Sequence, residues 1–169
     1  MKTPDLTEVV EKIAIHLVEN QKTMVTAESC TGGGIAFSLT DLPGSSNWFD
    51  RAYVTYSNQA KEQMIGVKKE TLNAFGAVSE AVAKEMAIGS LLDSQTDYAL
   101  SVTGVAGPGG GTPEKPVGMV CFGWAGKTKQ NREFAITETQ YFQGDRQSIR
   151  QQTITYSLSC FLQDFFDDS

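Results

Sequence analysis

The sequence has a single histidine, His16, and only three cysteines, Cys30, Cys121 and Cys160. His16 lies off the apolar face of the predicted first helix and is expected on the surface, so a Ser-His-Asp catalytic triad is not expected. The three cysteines are too widely spaced to form a disulfide framework or a pair of metal ligands. A histidine-based triad, a disulfide framework and a cysteine metal site are therefore not expected in this chain.

Long apolar runs and an excess of positive charge are also absent. No stretch approaches the roughly 18 apolar residues that a membrane span requires, and the N-terminal residues lack the apolar core of a secretory signal. The chain carries 14 Lys and Arg against 20 Asp and Glu, a net charge of −6, without a basic stripe for a phosphate backbone. We expect a soluble, cytoplasmic protein with no membrane and no nucleic-acid partner.

The order of the predicted elements indicates the fold class. The 169 residues suffice for one domain, 1–169, with a sizeable core. Helices and strands follow one another as helix, strand, helix, strand, helices, strand, glycine-rich loop, two strands and helix. A turn at Gly126-Lys127 is predicted to join the last two strands, 117–124 and 131–142, as a hairpin. This order is typical of an α/β protein, a three-layer α/β/α sandwich on a mixed, mostly parallel sheet.

The segment 25–34 (VTAESCTGGG) predicts a strand that runs into the N-terminus of a helix. Open α/β folds place ligands at this edge of the sheet, where backbone N–H groups at a helix N-terminus suit an anion or an oxyanion. Ser29 and Cys30 are both candidate nucleophiles, and the sequence does not distinguish them. The simpler alternative is that Ser29 or Thr31 only caps the helix.

A lysine occupies an unusual place after the next predicted strand. Ser57 and Asn58 are candidate N-caps of a short helix, which puts Lys61 in its first turn. Burial and the helix dipole both lower the pKa of a lysine, and a fall of about three from its ordinary value near 10.4 would make it a base at neutral pH. Tyr56 is a candidate to relay the proton or to hold the lysine. A solvated surface lysine is the commoner outcome.

The third region of interest is the glycine-rich loop 104–116, which follows the strand 98–103. It is too long for a simple connector and has no Gly-Lys-Ser/Thr of a phosphate-binding loop, so it is either functional or disordered. Arg146 at the start of the last helix is a candidate anion clamp, with a surface salt bridge as the alternative. If the strands before Ser29, Lys61 and Thr103 are parallel, all three regions form one cleft.

Several ordered motifs together resemble the CinA C-terminal family. They are 27–33 (AESCTGG), 53–61 (YVTYSNQAK), 76–80 (GAVSE), 103–108 (TGVAGP), 114–118 (EKPVG) and 144–146 (GDR). The resemblance implies hydrolysis of the carboxamide of nicotinamide mononucleotide to nicotinic acid mononucleotide and ammonia. It also implies a small-molecule nucleotide as the partner, with no metal and no other cofactor.

The same resemblance implies roles for individual residues. Ser29 is the nucleophile, Lys61 its base and Tyr56 an assisting hydroxyl. The residues implied to bind substrate are Cys30, Thr31, Gly32, Gly33, Thr103, Gly104, Gly107 and Arg146. A homodimer through the outer edge of the 117–142 hairpin is a further expectation. Two alternatives stay open: a non-catalytic nucleotide-binding module, and a competence or recombination factor that acts through protein contacts.

Overall fold

The computed structural model describes residues 4–166. Within them the helices are α1 (Leu6–Glu19), α2 (Gly34–Thr40), α3 (Asn58–Ile65), α4 (Lys69–Phe75), α5 (Glu80–Ser94) and α6 (Arg146–Phe166). The strands are β1 (Met24–Glu28), β2 (Phe49–Val54), β3 (Tyr98–Gly104), β4 (Met119–Lys127) and β5 (Glu133–Tyr141). No helix in this part of the chain is long and apolar enough to cross a membrane.

The five strands form one sheet in the order β2-β1-β3-β4-β5. β1 pairs in parallel with β2 and β3, whereas β4 is antiparallel to both β3 and β5. All strands except β4 therefore run in one direction, which confirms the predicted mixed, mostly parallel sheet. Glu28 lies opposite Val54 and Val102, so the three parallel strands end together at one edge.

Helices cover both faces of the sheet and create two hydrophobic cores. One core joins the sheet to α1, α2 and α6 through residues such as Ile13, Leu39 and Leu158. The other joins it to α3, α4 and α5 through residues such as Leu72 and Met86. Every residue of β1 is buried, as expected for a central strand covered on both faces. The predicted three-layer α/β/α sandwich is confirmed.

The hairpin turn lies later in the chain than predicted. β4 continues through Gly126 and Lys127, which pair with Phe134 and Glu133, and residues 128–132 form the connection. A Cβ atom on Gly126 would lie 3.1 Å from the Phe134 ring and 3.2 Å from the Tyr98 ring. The glycine therefore makes room for aromatic rings inside the strand. The prediction of a turn at Gly126-Lys127 was wrong.

The glycine-rich loop between β3 and β4 is tied to its surroundings at several points. Val105 N donates to Met119 O at 2.9 Å, and Gly118 N donates to Val105 O at 2.7 Å. Lys115 Nζ donates to the carbonyl of Phe75 at the C-terminal end of α4, where a cation complements the helix dipole. These bonds hold the loop against the edge where the parallel strands end.

Candidate active site

A cleft of about 310 Å³ lies where the three parallel strands end. Its volume is at the lower end of the range for small-molecule sites. Its lining includes Ser29, Cys30, Tyr56, Lys61, Ala77, Val78, Thr103, Gly104, Val105, Ala106, Gly107, Gly109, Gly110 and Arg146. The residues around a larger groove of about 980 Å³, between α3, α4 and α5, include no serine and no cysteine. The smaller cleft is thus the candidate active site.

The side chains of Ser29 and Lys61 meet at the bottom of this cleft. Lys61 is only 1% exposed, and its Nζ donates to Ser29 Oγ at 3.1 Å and to Thr55 O at 2.8 Å. A third contact, to Tyr56 O, measures 3.4 Å. Carbonyl oxygens can only accept, so a neutral amine directs its two N–H groups to them. In that neutral state the lone pair is left to accept from the Ser29 hydroxyl, in place of the bond that the charged amine donates to Ser29 Oγ, and this is what a base requires.

Burial lowers the pKa of Lys61 from 10.5 to about 8. The cause is desolvation, which disfavours the charged amine. No carboxylate among residues 4–166 forms an ion pair with Lys61 to oppose this effect. A substantial fraction of the amine is therefore neutral near pH 8, as a general base requires.

Cys30, the rival nucleophile, lies in a different environment. Its side chain packs in the core shared with α1, α2 and α6, and burial raises the pKa of the thiol to about 12. Only the thiolate is strongly nucleophilic, and at neutral pH this thiol is almost wholly protonated. The geometry and the electrostatics both favour Ser29 over Cys30.

The N-terminus of α2 is occupied by a side chain of the protein itself. Glu28 is fully buried, and its carboxylate accepts from Ile35 N at 2.9 Å and Ala36 N at 3.0 Å. The Thr31 hydroxyl donates to the same carboxylate at 2.7 Å. A buried carboxylate needs such donors. The expectation that these helix N–H groups are free for a substrate anion was therefore wrong.

Thr31, Gly32 and Gly33 do not belong to the cleft lining. Gly32 N donates to Ser29 O at 3.0 Å and closes a tight turn after the serine. Gly33 has a φ of 96°, in the left-handed region that favours glycine. These residues shape the turn that presents Ser29.

Tyr56 and Arg146 meet at the mouth of the cleft. Tyr56 is 60% exposed, and its hydroxyl accepts from Arg146 Nη2 at 3.0 Å. Arg146 Nη1 donates to Gly107 O at 2.8 Å. The phenol is thus bonded to Arg146, whereas only the backbone carbonyl of Tyr56 contacts Lys61. Of the two roles considered for Tyr56, these contacts favour holding the lysine over relaying its proton.

Thr103 and Gly104 border the cleft and also hold its walls together. The Thr103 hydroxyl donates to Ala77 O at 2.8 Å, which ties β3 to the segment before α5. A Cβ atom on Gly104 would lie 2.9 Å from Met119 O, so β4 can approach only a glycine here.

The single histidine lies outside this site. His16 is half-buried and stacks on Phe166, with 3.8 Å between ring centroids. In the described chain no group of three or more His, Cys, Asp or Glu side chains could hold a metal ion. The cleft lining offers Ser29 as a candidate nucleophile and Lys61 as a candidate base.

Two residues next to the site were missed by sequence reasoning. From the sequence alone, the Glu28 side chain could equally face the substrate or cap α2 in the interior. No local signal distinguishes these two positions. Arg150 Nε donates to Cys30 O at 3.1 Å, and its Nη2 donates to Thr31 O at 3.1 Å. The signal for Arg150 was its spacing of four residues from Arg146, which places both on one face of a helix.

The sequence matches the protein-family model of the CinA C-terminal domain over residues 6–165. The chain belongs to the CinA C-terminal domain family. It is 47% identical over 169 residues to the nicotinamide-nucleotide amidohydrolase PncC of Escherichia coli K12, which covers 100% of both chains. It is also 53% identical over 142 residues to a CinA-like protein of Endomicrobium trichonymphae, covering 84% of this chain and 32% of that protein.

A solved structure of a similar protein has the same fold. The crystal structure of the competence/damage inducible protein CihA from Agrobacterium tumefaciens matches with a TM-score of 0.85 and 41% identity. The match covers 96% of this chain and 97% of that one. The sheet and helix layers described above are thus those of the CinA family.

Proposed function

We propose that this protein hydrolyses the carboxamide of nicotinamide mononucleotide to nicotinic acid mononucleotide and ammonia, with Ser29 as the nucleophile and Lys61 as its base. Assignment as an amidohydrolase rests on the full-length similarity to an amidohydrolase of E. coli. The observation that carries the mechanism is the 3.1 Å contact between Lys61 Nζ and Ser29 Oγ.

The first half of the proposed reaction forms an acyl-enzyme. Neutral Lys61 takes the proton of the Ser29 hydroxyl while Oγ attacks the carboxamide carbon. The protonated amine then gives this proton to the leaving nitrogen as the C–N bond breaks, and ammonia departs. An ester between Ser29 and the nicotinoyl group remains.

The second half returns the enzyme to its starting state. Water attacks the ester carbon, and Lys61 takes its proton. The bond between the carbon and Ser29 Oγ breaks, and Lys61 returns a proton to the serine. The product leaves as nicotinic acid mononucleotide, so one water is consumed for each ammonia released.

Arg146 is the group best placed for the phosphate of the substrate. The cations in the cleft lining are Arg146 and Lys61, and Lys61 is engaged at the bottom. Two cations outside the cleft lining are already engaged, because Arg51 pairs with Asp50 and Lys115 is bound to the Phe75 carbonyl. A guanidinium has five N–H donors, so Arg146 has donors left beyond its two contacts.

Arg146→Ala should slow hydrolysis of the nucleotide far more than hydrolysis of the unphosphorylated riboside. Loss of a charge-assisted phosphate contact costs about 2–3 kcal/mol, which lowers kcat/KM for nicotinamide mononucleotide on the order of 30- to 160-fold. The measurement compares kcat/KM for the two substrates. Arg51→Ala, which removes a cation outside the cleft, is the matched control and should change neither value. Equal losses on both substrates would assign Arg146 a structural role.

Ammonia release by the purified protein tests the proposed function as a whole. Nicotinamide mononucleotide is supplied without added metal, then with chelator, and ammonia and nicotinic acid mononucleotide are both measured. Equal amounts of the two products, unaffected by chelator, are expected. A folded protein that binds the nucleotide but releases no ammonia would support the non-catalytic alternative.

Assembly and location stay predictions. β5 is an edge strand of the sheet, with Ile136 43% exposed, so the predicted homodimer would form there. The cytoplasm is where we propose that the reaction takes place.

A further inference from the structure

Arg150 connects α6 to the turn that carries the nucleophile. It lies one helical turn after Arg146 and is half-buried. Its Nε donates to Cys30 O and its Nη2 to Thr31 O, each at 3.1 Å. Two successive carbonyls of the segment after Ser29 are therefore held by one planar guanidinium, whose N–H donors point in a fixed fork that a lysine does not reproduce.

One rigid peptide links this contact to Ser29. The carbonyl of Thr31 and the N–H of Gly32 belong to the same planar peptide unit, in which they point in opposite directions. Arg150 holds the carbonyl end, and the N–H end donates to Ser29 O at 3.0 Å. Fixing the plane of this peptide therefore fixes the backbone of Ser29.

The opposite side of the same turn is held by Glu28. The Thr31 hydroxyl donates to its carboxylate, which is itself bound to the first N–H groups of α2. Thr31 is thus held through its hydroxyl by Glu28 and through its carbonyl by Arg150. Ser29 is presented to Lys61 by a turn clamped from two sides.

Neither charge pairing nor helix docking explains Arg150. No carboxylate among the residues that the structure describes pairs with it, although the protein carries a net charge of −6. Buried apolar residues of α6, among them Ile149, Ile154 and Leu158, dock the helix without Arg150.

We propose that Arg150 is a positioning residue of the amidohydrolase reaction, which keeps Ser29 Oγ within reach of Lys61 Nζ by holding the carbonyls of Cys30 and Thr31. The inference rests on the proposed function of Ser29. Arg150 does not line the cleft, so its loss should slow the chemical step and leave substrate binding nearly unchanged.

The test compares Arg150→Met and Arg150→Lys with the control Gln151→Met. Gln151 is the exposed neighbour of Arg150 on α6 and does not line the cleft. With nicotinamide mononucleotide, Arg150→Met should lose kcat on the order of 10- to 100-fold, because small misplacements of reacting atoms are costly. KM should stay within about threefold. Arg150→Lys should recover part of the rate, since an ammonium can donate to one carbonyl, and Gln151→Met should match wild type.

Rescue of the rate by added guanidinium is a second measurement, and it is not expected if Arg150 has a merely structural role. Millimolar guanidinium chloride, far below denaturing concentrations, should restore part of the rate of Arg150→Met and leave wild type unchanged. A kcat of Arg150→Met within twofold of wild type would overturn the proposal, as would a loss confined to KM. If Arg150→Met does not fold by circular dichroism, Arg150→Lys decides: a kcat equal to that of wild type would overturn the proposal, and a lower kcat with unchanged KM would support it.

Ser29→Ala separates the two proposals. An active Ser29→Ala variant would refute Ser29 as the nucleophile, and with it the role of Arg150 in positioning Ser29. An inactive Ser29→Ala variant together with a normal Arg150→Met variant would refute only the positioning role.

Discussion

Ser29→Ala is expected to lose nearly all ammonia release from nicotinamide mononucleotide, on the order of 10⁴-fold or more in kcat. The alanine has no oxygen to attack the carboxamide carbon. Lys61 Nζ, which lies 3.1 Å from Ser29 Oγ in wild type, loses the hydroxyl whose proton it would take. The measurement is the initial rate of ammonia release, with circular dichroism to show that the variant is folded.

Cys30→Ala is the matched control for this experiment. The two residues are adjacent and both line the cleft, but burial raises the pKa of the Cys30 thiol to about 12. The thiol is therefore unreactive at neutral pH, and Cys30→Ala should retain activity within about tenfold of wild type. An active Ser29→Ala with an inactive Cys30→Ala would move the nucleophile to the cysteine.

Lys61→Arg should lose about 10³-fold or more in kcat, although it keeps the positive charge. An arginine stays protonated at any usable pH and cannot take the Ser29 proton. Lys61→Met, which keeps much of the length and apolar stem, should be equally inactive. Near-normal activity in either variant would exclude Lys61 as the base.

The pH profile of wild type provides an independent check on the same residue. Because the base must be neutral and the pKa of Lys61 is lowered to about 8, kcat/KM should rise with pH. Titration around this value predicts an increase of about tenfold between pH 7 and pH 9. A profile that is flat over this range would contradict a lysine base with a pKa near 8.

The same lowered pKa has a consequence for stability. The pKa of Lys61 falls from 10.5 to about 8 on folding, so between these values the unfolded chain binds a proton that the folded protein does not. The free energy of unfolding therefore rises with pH across this window. Between pH 7 and pH 10 the free energy of unfolding of wild type should increase by about 2 kcal/mol relative to that of Lys61→Met. A difference between the two proteins that does not change with pH would mean that the pKa of Lys61 is not lowered by folding.

Local signals in the sequence predicted most of the fold and the neighbourhood of the site. Apolar runs that end in polar residues predicted three strands that finish at one edge, and the structure brings Ser29, Lys61 and Thr103 into one cleft there. The hairpin turn was misplaced because a glycine that relieves crowding, such as Gly126, has the same local signature as a glycine in a turn.

The hydrogen-bond partners could not be predicted in the same way. Glu28 takes the N–H groups of α2, and Tyr56 directs its hydroxyl to Arg146. Both pairings join residues of different helices, strands or loops, so they depend on how these segments pack together in the folded protein. Sequence spacing alone could at best have put Arg150 on the same face of α6 as Arg146.

The sequence by itself determined the order of strands and helices, the absence of a histidine-based triad and the set of candidate residues at one edge of the sheet. These follow from periodicity, residue type and spacing, which are local properties of the chain. Only the tertiary structure favours Ser29 over Cys30 as the nucleophile, lowers the pKa of Lys61 and joins Arg150 to the turn after Ser29. Desolvation and hydrogen bonding between distant segments depend on what the folded chain packs around each group.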